Sequence, residues 1–210
     1  MHLPIDLEVT EICDWLASKG ITAILLKYRV PLKKTEPYSE PVPLALEDAQ
    51  RTLGLVRLHA VEWHIDPHKI GVIGFSAGGH MVADISTHFD MRSYPPVDAA
   101  DRESCRPDFA IACYPGHLWD SDNGLKLNPN VPVTTNTPPT FIVMAEDDRV
   151  DHVEQALTYY IALKSAGVPT EMHLYPVGGH GFGLRRKTDP VKVWPQLVET
   201  WLQSIRMTSP

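Results

Sequence analysis

The segment Ile70-Gly71-Val72-Ile73-Gly74-Phe75-Ser76-Ala77-Gly78-Gly79-His80 constrains this chain more than any other. A short β-branched run stops at a Gly-x-Ser-x-Gly pentapeptide, and a helix-compatible stretch, residues 77–88, begins directly after it. A serine held between strand and helix in so short a turn must adopt a backbone conformation that L-residues rarely take. The turn predicts that Gly74 and Gly78 are glycine because a Cβ would meet the helix and the neighbouring strand. The same strain holds the Ser76 hydroxyl above the sheet as a candidate nucleophile. Gly-x-Ser-x-Gly alone recurs by chance, and the flanking strand and helix are what make this copy informative.

Around that turn the chain alternates between two periodicities. Helical patterns cover residues 7–19, 44–63, 77–88, 153–166 and 191–205, and strand patterns cover 22–28, 69–75, 109–114, 140–145 and 171–175. Strands separated by helix-length crossovers imply a mostly parallel sheet flanked by helices on both faces. Runs such as Ala23-Ile24-Leu25-Leu26 and Phe141-Ile142-Val143-Met144 are continuously apolar, as strands buried on both sides should be. Catalytic groups on such a sheet belong on loops at the carboxyl ends of the strands. Two long loops, residues 89–108 and 115–139, exceed the usual connection length and so mark functional or mobile segments. The second is rich in Pro, Asn and Thr, and Tyr114, His117 and Trp119 at its start are candidate walls of a substrate site.

A serine needs a general base, usually histidine, which a carboxylate orients. Glu146-Asp147-Asp148 follows the strand pattern 140–145, so its carboxylates leave the sheet at the catalytic edge. Gly178-Gly179-His180-Gly181-Phe182-Gly183 follows the last strand, and its glycines allow a loop that folds His180 back over the serine. His80, Asp84 and His88 share one helical face at four-residue spacing, a metal-ligand pattern in principle. Packing of that helix against the sheet is the simpler reading, so neither a metal nor a cofactor is expected. His64, His68 and His152 carry no assignment.

Composition excludes several other classes. At 210 residues the chain fits one domain, residues 1–210, able to bury roughly 70% of its unfolded surface without disulfides or metal. The net charge of −7 and the pI near 5.8 argue against nucleic acid as partner. Arg185-Arg186-Lys187 is too short a basic cluster to reverse that. No apolar run reaches membrane-spanning length, so no membrane association is expected. Three cysteines without close spacing suit a reducing compartment, and no signal peptide is visible, so the expected location is the cytoplasm.

Several ordered segments resemble the α/β-hydrolase esterase/lipase family, in particular small bacterial acetyl xylan, feruloyl and dienelactone hydrolase-like esterases. The resemblance rests on Ala23-Ile24-Leu25-Leu26-Lys27-Tyr28-Arg29-Val30, Ile65-Asp66-Pro67 leading into the elbow, Arg106-Pro107-Asp108-Phe109 and Pro138-Pro139-Thr140-Phe141. It continues through Glu171-Met172-His173-Leu174-Tyr175-Pro176 into the Gly178–Phe182 loop. It implies a serine carboxylesterase acting on short acyl esters, acetyl first, of sugars or aryl alcohols. It further implies a triad of Ser76, Asp148 and His180, with Asp147 as the alternative acid, and the Ala77 amide as one oxyanion donor.

The chain departs from that family at its front. It opens almost directly on the helix that should follow the family's glycine-rich oxyanion loop, and no glycine precedes Gly20. Loss of one oxyanion donor typically costs about 100- to 1,000-fold in turnover, so a weakly active or purely binding hydrolase-fold protein is the rival expectation. In the family's order a strand lies between the equivalents of 22–28 and 69–75. The shortened sheet therefore predicts that these two close up, that a second copy of the chain covers the gap, or that the natural chain is longer.

Overall fold

The computed structural model describes residues 6–30, 43–185 and 188–209. After a π-helical turn, Asp6–Thr10, the chain forms α1 (Glu11–Ser18), α2 (Pro43–Leu58), β1 (Gly71–Phe75) and α3 (Ala77–Thr87). A 3-10 turn, Ala99–Arg102, precedes β2 (Phe109–Cys113) and a two-stranded antiparallel ribbon of β3 (Trp119–Asp120) and β4 (Lys126–Leu127). The chain closes with β5 (Thr140–Ala145), α4 (Glu154–Ser165), β6 (Thr170–Tyr175), a 3-10 turn and α5 (Trp194–Ser204). The main sheet is parallel throughout, in the order β1-β2-β5-β6.

Alternation along the strands explains how both faces are covered. Val72, Ala110 and Ala112 point to one face, where Val82 of α3 packs on them, and the two alanines let that helix approach closely. Phe109 and Phe141 point to the other face and meet Trp201 of α5 at 6.2 and 5.5 Å between ring centroids. Trp194 at the start of α5 meets Trp15 of α1 edge-on at 5.4 Å, which ties the first helix to the last. Every residue of β5 is buried, as the central position of that strand requires.

One expected strand is absent. Residues 22–28 form no ladder, and β1 has β2 as its sole pairing partner among the described residues. The cause is physical: a strand needs an edge within hydrogen-bonding reach, and the neighbour that the resemblance implies between this segment and β1 is not among the described residues. The two segments do not close on each other. Ile24 and Leu25, written for burial on two sides, are left 45% and 58% exposed. The long helix pattern 44–63 also stops early, at Leu58, and turns through His64 at φ 56°. Of the basic cluster, Arg186 and Lys187 lie outside the described residues.

Candidate active site

Ser76, Asp148 and His180 leave the carboxyl ends of β1, β5 and β6, and the structure brings them together. Ser76 sits at φ 52°, ψ −117°, the strained elbow conformation, and its amide donates to the Cys113 carbonyl at 3.1 Å. Gly74 is needed because a Cβ there would overlap the Gly78 carbonyl. The expectation for Gly78 is corrected: its Cβ position faces open space. The close approach falls instead on Gly79, where a Cβ would lie 2.8 Å from Pro115 Cα. The helix rotates its second glycine, not its first, against the loop that leaves β2.

His180 Nε2 lies 3.0 Å from Ser76 Oγ, and its Nδ1 lies 2.7 Å from Asp148 Oδ2. The other oxygen of Asp148 accepts the amides of Val150 at 2.8 Å and Asp151 at 3.1 Å. This carboxylate is thus buried and held in one orientation by its own loop. Asp147 turns the opposite way and accepts the amides of Gly178 and Gly179 at 2.9 and 2.7 Å, anchoring the histidine loop. Gly179, Gly181 and Gly183 have φ of 63°, 66° and 45°, left-handed values that bend the loop around His180.

Electrostatics favour a protonatable His180. Burial disfavours the imidazolium, but the hydrogen bond and charge of Asp148, with the charges of Asp151 and Glu8, outweigh it and raise the pKa above its ordinary value. Beside it, burial and Glu8 push the Tyr114 hydroxyl far up, so that it stays protonated and donates to Glu8 Oε1 at 2.8 Å.

The expected walls separate into two groups. Tyr114 is corrected: it is fully buried and supports the site from beneath, its ring 5.1 Å from His180 and 4.4 Å from Phe182. A β-strand end that turns inward at φ 36° carries the ring under the histidine instead of out to solvent. His117 and Trp119 line an open cavity of about 360 Å³ together with Asp120, Asp122, Asn128 and Asn130. His117 stands at φ 55°, directly after Gly116, whose amide donates to the Ser76 carbonyl at 3.2 Å. Ala77 is the first residue of α3, so its amide has no acceptor within the helix.

His80, Asp84 and His88 do not converge. The His88 ring nitrogen faces the Asp84 carbonyl at 3.1 Å, and His80 Nδ1 stands 3.6 Å from Asp84 Oδ2. Among the described residues no three His, Cys, Asp or Glu side chains form a group able to hold a metal. No helix among them is long and apolar enough to cross a membrane.

Reading the sequence missed Asp151, Gly116 and Glu8. Asp151 Oδ2 is 3.2 Å from Ser76 Oγ, yet three residues after Asp148 in a charged loop it has the pattern of a solvated side chain. Gly116 leaves the space that the carboxylate fills, since a Cβ there would lie 2.5 Å from Asp151 Oδ1.

Residues 49–204 match the prolyl oligopeptidase family. The chain is 32% identical over 217 residues to an acetylxylan esterase of Xylanibacter ruminicola, covering 91% of this chain and 41% of that protein. It is 31% identical over 182 residues to endo-1,4-beta-xylanase B of Butyrivibrio fibrisolvens, covering 78% of this chain and 28% of that one. The crystal structure of an acetyl ester-xyloside bifunctional hydrolase from Caldicellulosiruptor lactoaceticus superposes with a TM-score of 0.82 at 39% identity, over 95% of this chain and 77% of the other. The fold and these matches place the chain in the α/β-hydrolase class. The chain belongs to the prolyl oligopeptidase family, and it spans less than half the length of the two curated relatives described.

Proposed function

We propose that this chain is a serine carboxylesterase that hydrolyses short acyl esters, acetyl first, of sugars or aryl alcohols. The observation that carries the reading is the continuous relay from Ser76 Oγ to His180 at 3.0 Å and on to Asp148 at 2.7 Å. Its likeness to acetylxylan and acetyl ester hydrolases supports acetyl as the acyl group.

In the first half-reaction Ser76 Oγ attacks the ester carbonyl carbon while His180 Nε2 takes its proton. Asp148 holds the imidazole with Nε2 toward the serine and stabilises the imidazolium that forms. The Ala77 amide, at the positive end of α3, donates to the oxyanion. Collapse expels the alcohol, which leaves with the proton from His180, and an acetyl-enzyme remains. Water then repeats the sequence with His180 as base and releases acetate.

The test is labelling with a fluorophosphonate alongside hydrolysis of p-nitrophenyl esters from acetate to octanoate. An esterase of this kind is expected to show Ser76-dependent labelling and turnover that falls with acyl length. A module that only binds would neither label nor turn over.

A further inference from the structure

Several of the described carboxylates are matched by a guanidinium. Asp48 pairs with Arg29, Asp98 and Asp101 with Arg51, and Asp108 with Arg57. Asp151 is different. Its Oδ2 lies 3.2 Å from Ser76 Oγ and 3.9 Å from His180 Nε2, and no described Lys or Arg nitrogen lies within 4.0 Å of it. Its side chain is only 12% exposed. The position is built: the Asp151 amide is fixed on Asp148 Oδ1 at 3.1 Å, and the missing Cβ of Gly116 makes room for the carboxylate.

Resting on the esterase reading, we propose that Asp151 determines the charge of the substrate, favouring esters with a cationic group near the scissile bond and disfavouring anionic ones. Any ester whose carbonyl carbon reaches Ser76 Oγ brings its acyl and alcohol parts within a few ångströms of Asp151 Oδ2. At that range, and partly shielded from water, a unit charge is felt strongly. The same carboxylate acts with opposite signs on the developing oxyanion and the developing imidazolium, so the rate on a neutral ester does not isolate its effect. The ratio between two esters of one shape and different charge does.

The experiment compares kcat/KM for acetylthiocholine and for its uncharged isostere, 3,3-dimethylbutyl thioacetate, in the unaltered protein, in Asp151→Asn and Asp151→Ser, and in Ser76→Ala. The unaltered protein is expected to prefer the cationic ester by about tenfold, and both Asp151 variants to lose that preference. Raising sodium chloride from about 20 to about 500 mM should narrow the preference in the unaltered protein. Serine-dependent turnover of both esters with a ratio near or below one in the unaltered protein overturns the inference alone, whether or not the variants fold. So does a preference that both variants retain. Absence of serine-dependent turnover on both esters overturns the inference alone if p-nitrophenyl acetate is still hydrolysed in a Ser76-dependent way, and overturns the esterase reading with it if p-nitrophenyl acetate is not.

Discussion

Asp147 and Asp148, adjacent in the chain, face opposite ways: Asp148 accepts from His180 Nδ1 at 2.7 Å, whereas Asp147 accepts the Gly178 and Gly179 amides that carry that histidine's loop. In the proposed mechanism Asp148 orients the base, while its neighbour fixes the loop. Substituting each should therefore have separable effects. Asp148→Asn is expected to lower kcat/KM by about 10⁴-fold with little loss of stability, the size seen when a triad carboxylate is neutralised. Asp147→Ala leaves two amides without their acceptor and is expected to cost about 1–2 kcal/mol of stability and roughly tenfold or less in activity. Kinetics and denaturant melts on both variants check the division.

The pH profile follows from the sign of the His180 shift. The groups facing it are Asp148 and Asp151 from the acid loop, Glu8 from the first turn, and the Tyr114 and Ser76 hydroxyl-bearing side chains. Their net effect raises its pKa above 6.5, so the neutral base is lost on acidification at a higher pH than for a free histidine. The acid limb of kcat/KM is expected above pH 6.5, and Asp151→Asn should move it downward. For stability the same shift works in reverse: the stabilising contribution is full below the unfolded pKa and is lost as pH rises through the folded one.

Asp84 on α3 is buried, with Oδ2 lacking a hydrogen-bond partner, and burial pushes its pKa up to about 7. Nearby His80 is pulled by burial down to about 4, so it is neutral at pH 7 and supplies no countercharge. A raised carboxylate pKa means that ionisation favours the unfolded chain. Stability should fall as pH rises from about 4 to 7 and then level off. Asp84→Asn should remove that fall and be more stable at pH 8 by up to about 4 kcal/mol. Melting temperatures of both proteins at pH 5 and pH 8 check it.

The two glycines after the elbow should respond differently. Gly79→Ala sets a methyl 2.8 Å from Pro115 Cα and 3.2 Å from the Cys113 carbonyl, and is expected to destabilise by about 1–3 kcal/mol. Gly78→Ala meets nothing within 4 Å, and helix propensity favours it by up to about 1 kcal/mol. Urea midpoints of the two variants separate them.

Features set by local chemistry are legible in the amino-acid sequence. The elbow, the β5 run and the glycines around His180 each encode their conformation within a few residues. Residues 22–28 show the opposite: their apolar pattern is that of a buried strand, but a strand exists only where an edge accepts it, and pairing is not a property of the segment. The same holds for Asp151, whose meaning comes from Gly116 and Ser76 in other loops, and for Tyr114, where a reversed φ at a strand end turns an expected wall inward. Gly78 and Gly79 differ only in helical phase, which the pentapeptide alone does not specify.

Catalysis by the Ser76 triad is tested most simply by the initial rate of p-nitrophenyl acetate hydrolysis by the unaltered chain and by Ser76→Ala. A working triad predicts measurable turnover that drops by on the order of 10⁶, or to the uncatalysed background, when the hydroxyl is removed. A loss of less than about tenfold, or no turnover in the unaltered chain, would contradict it.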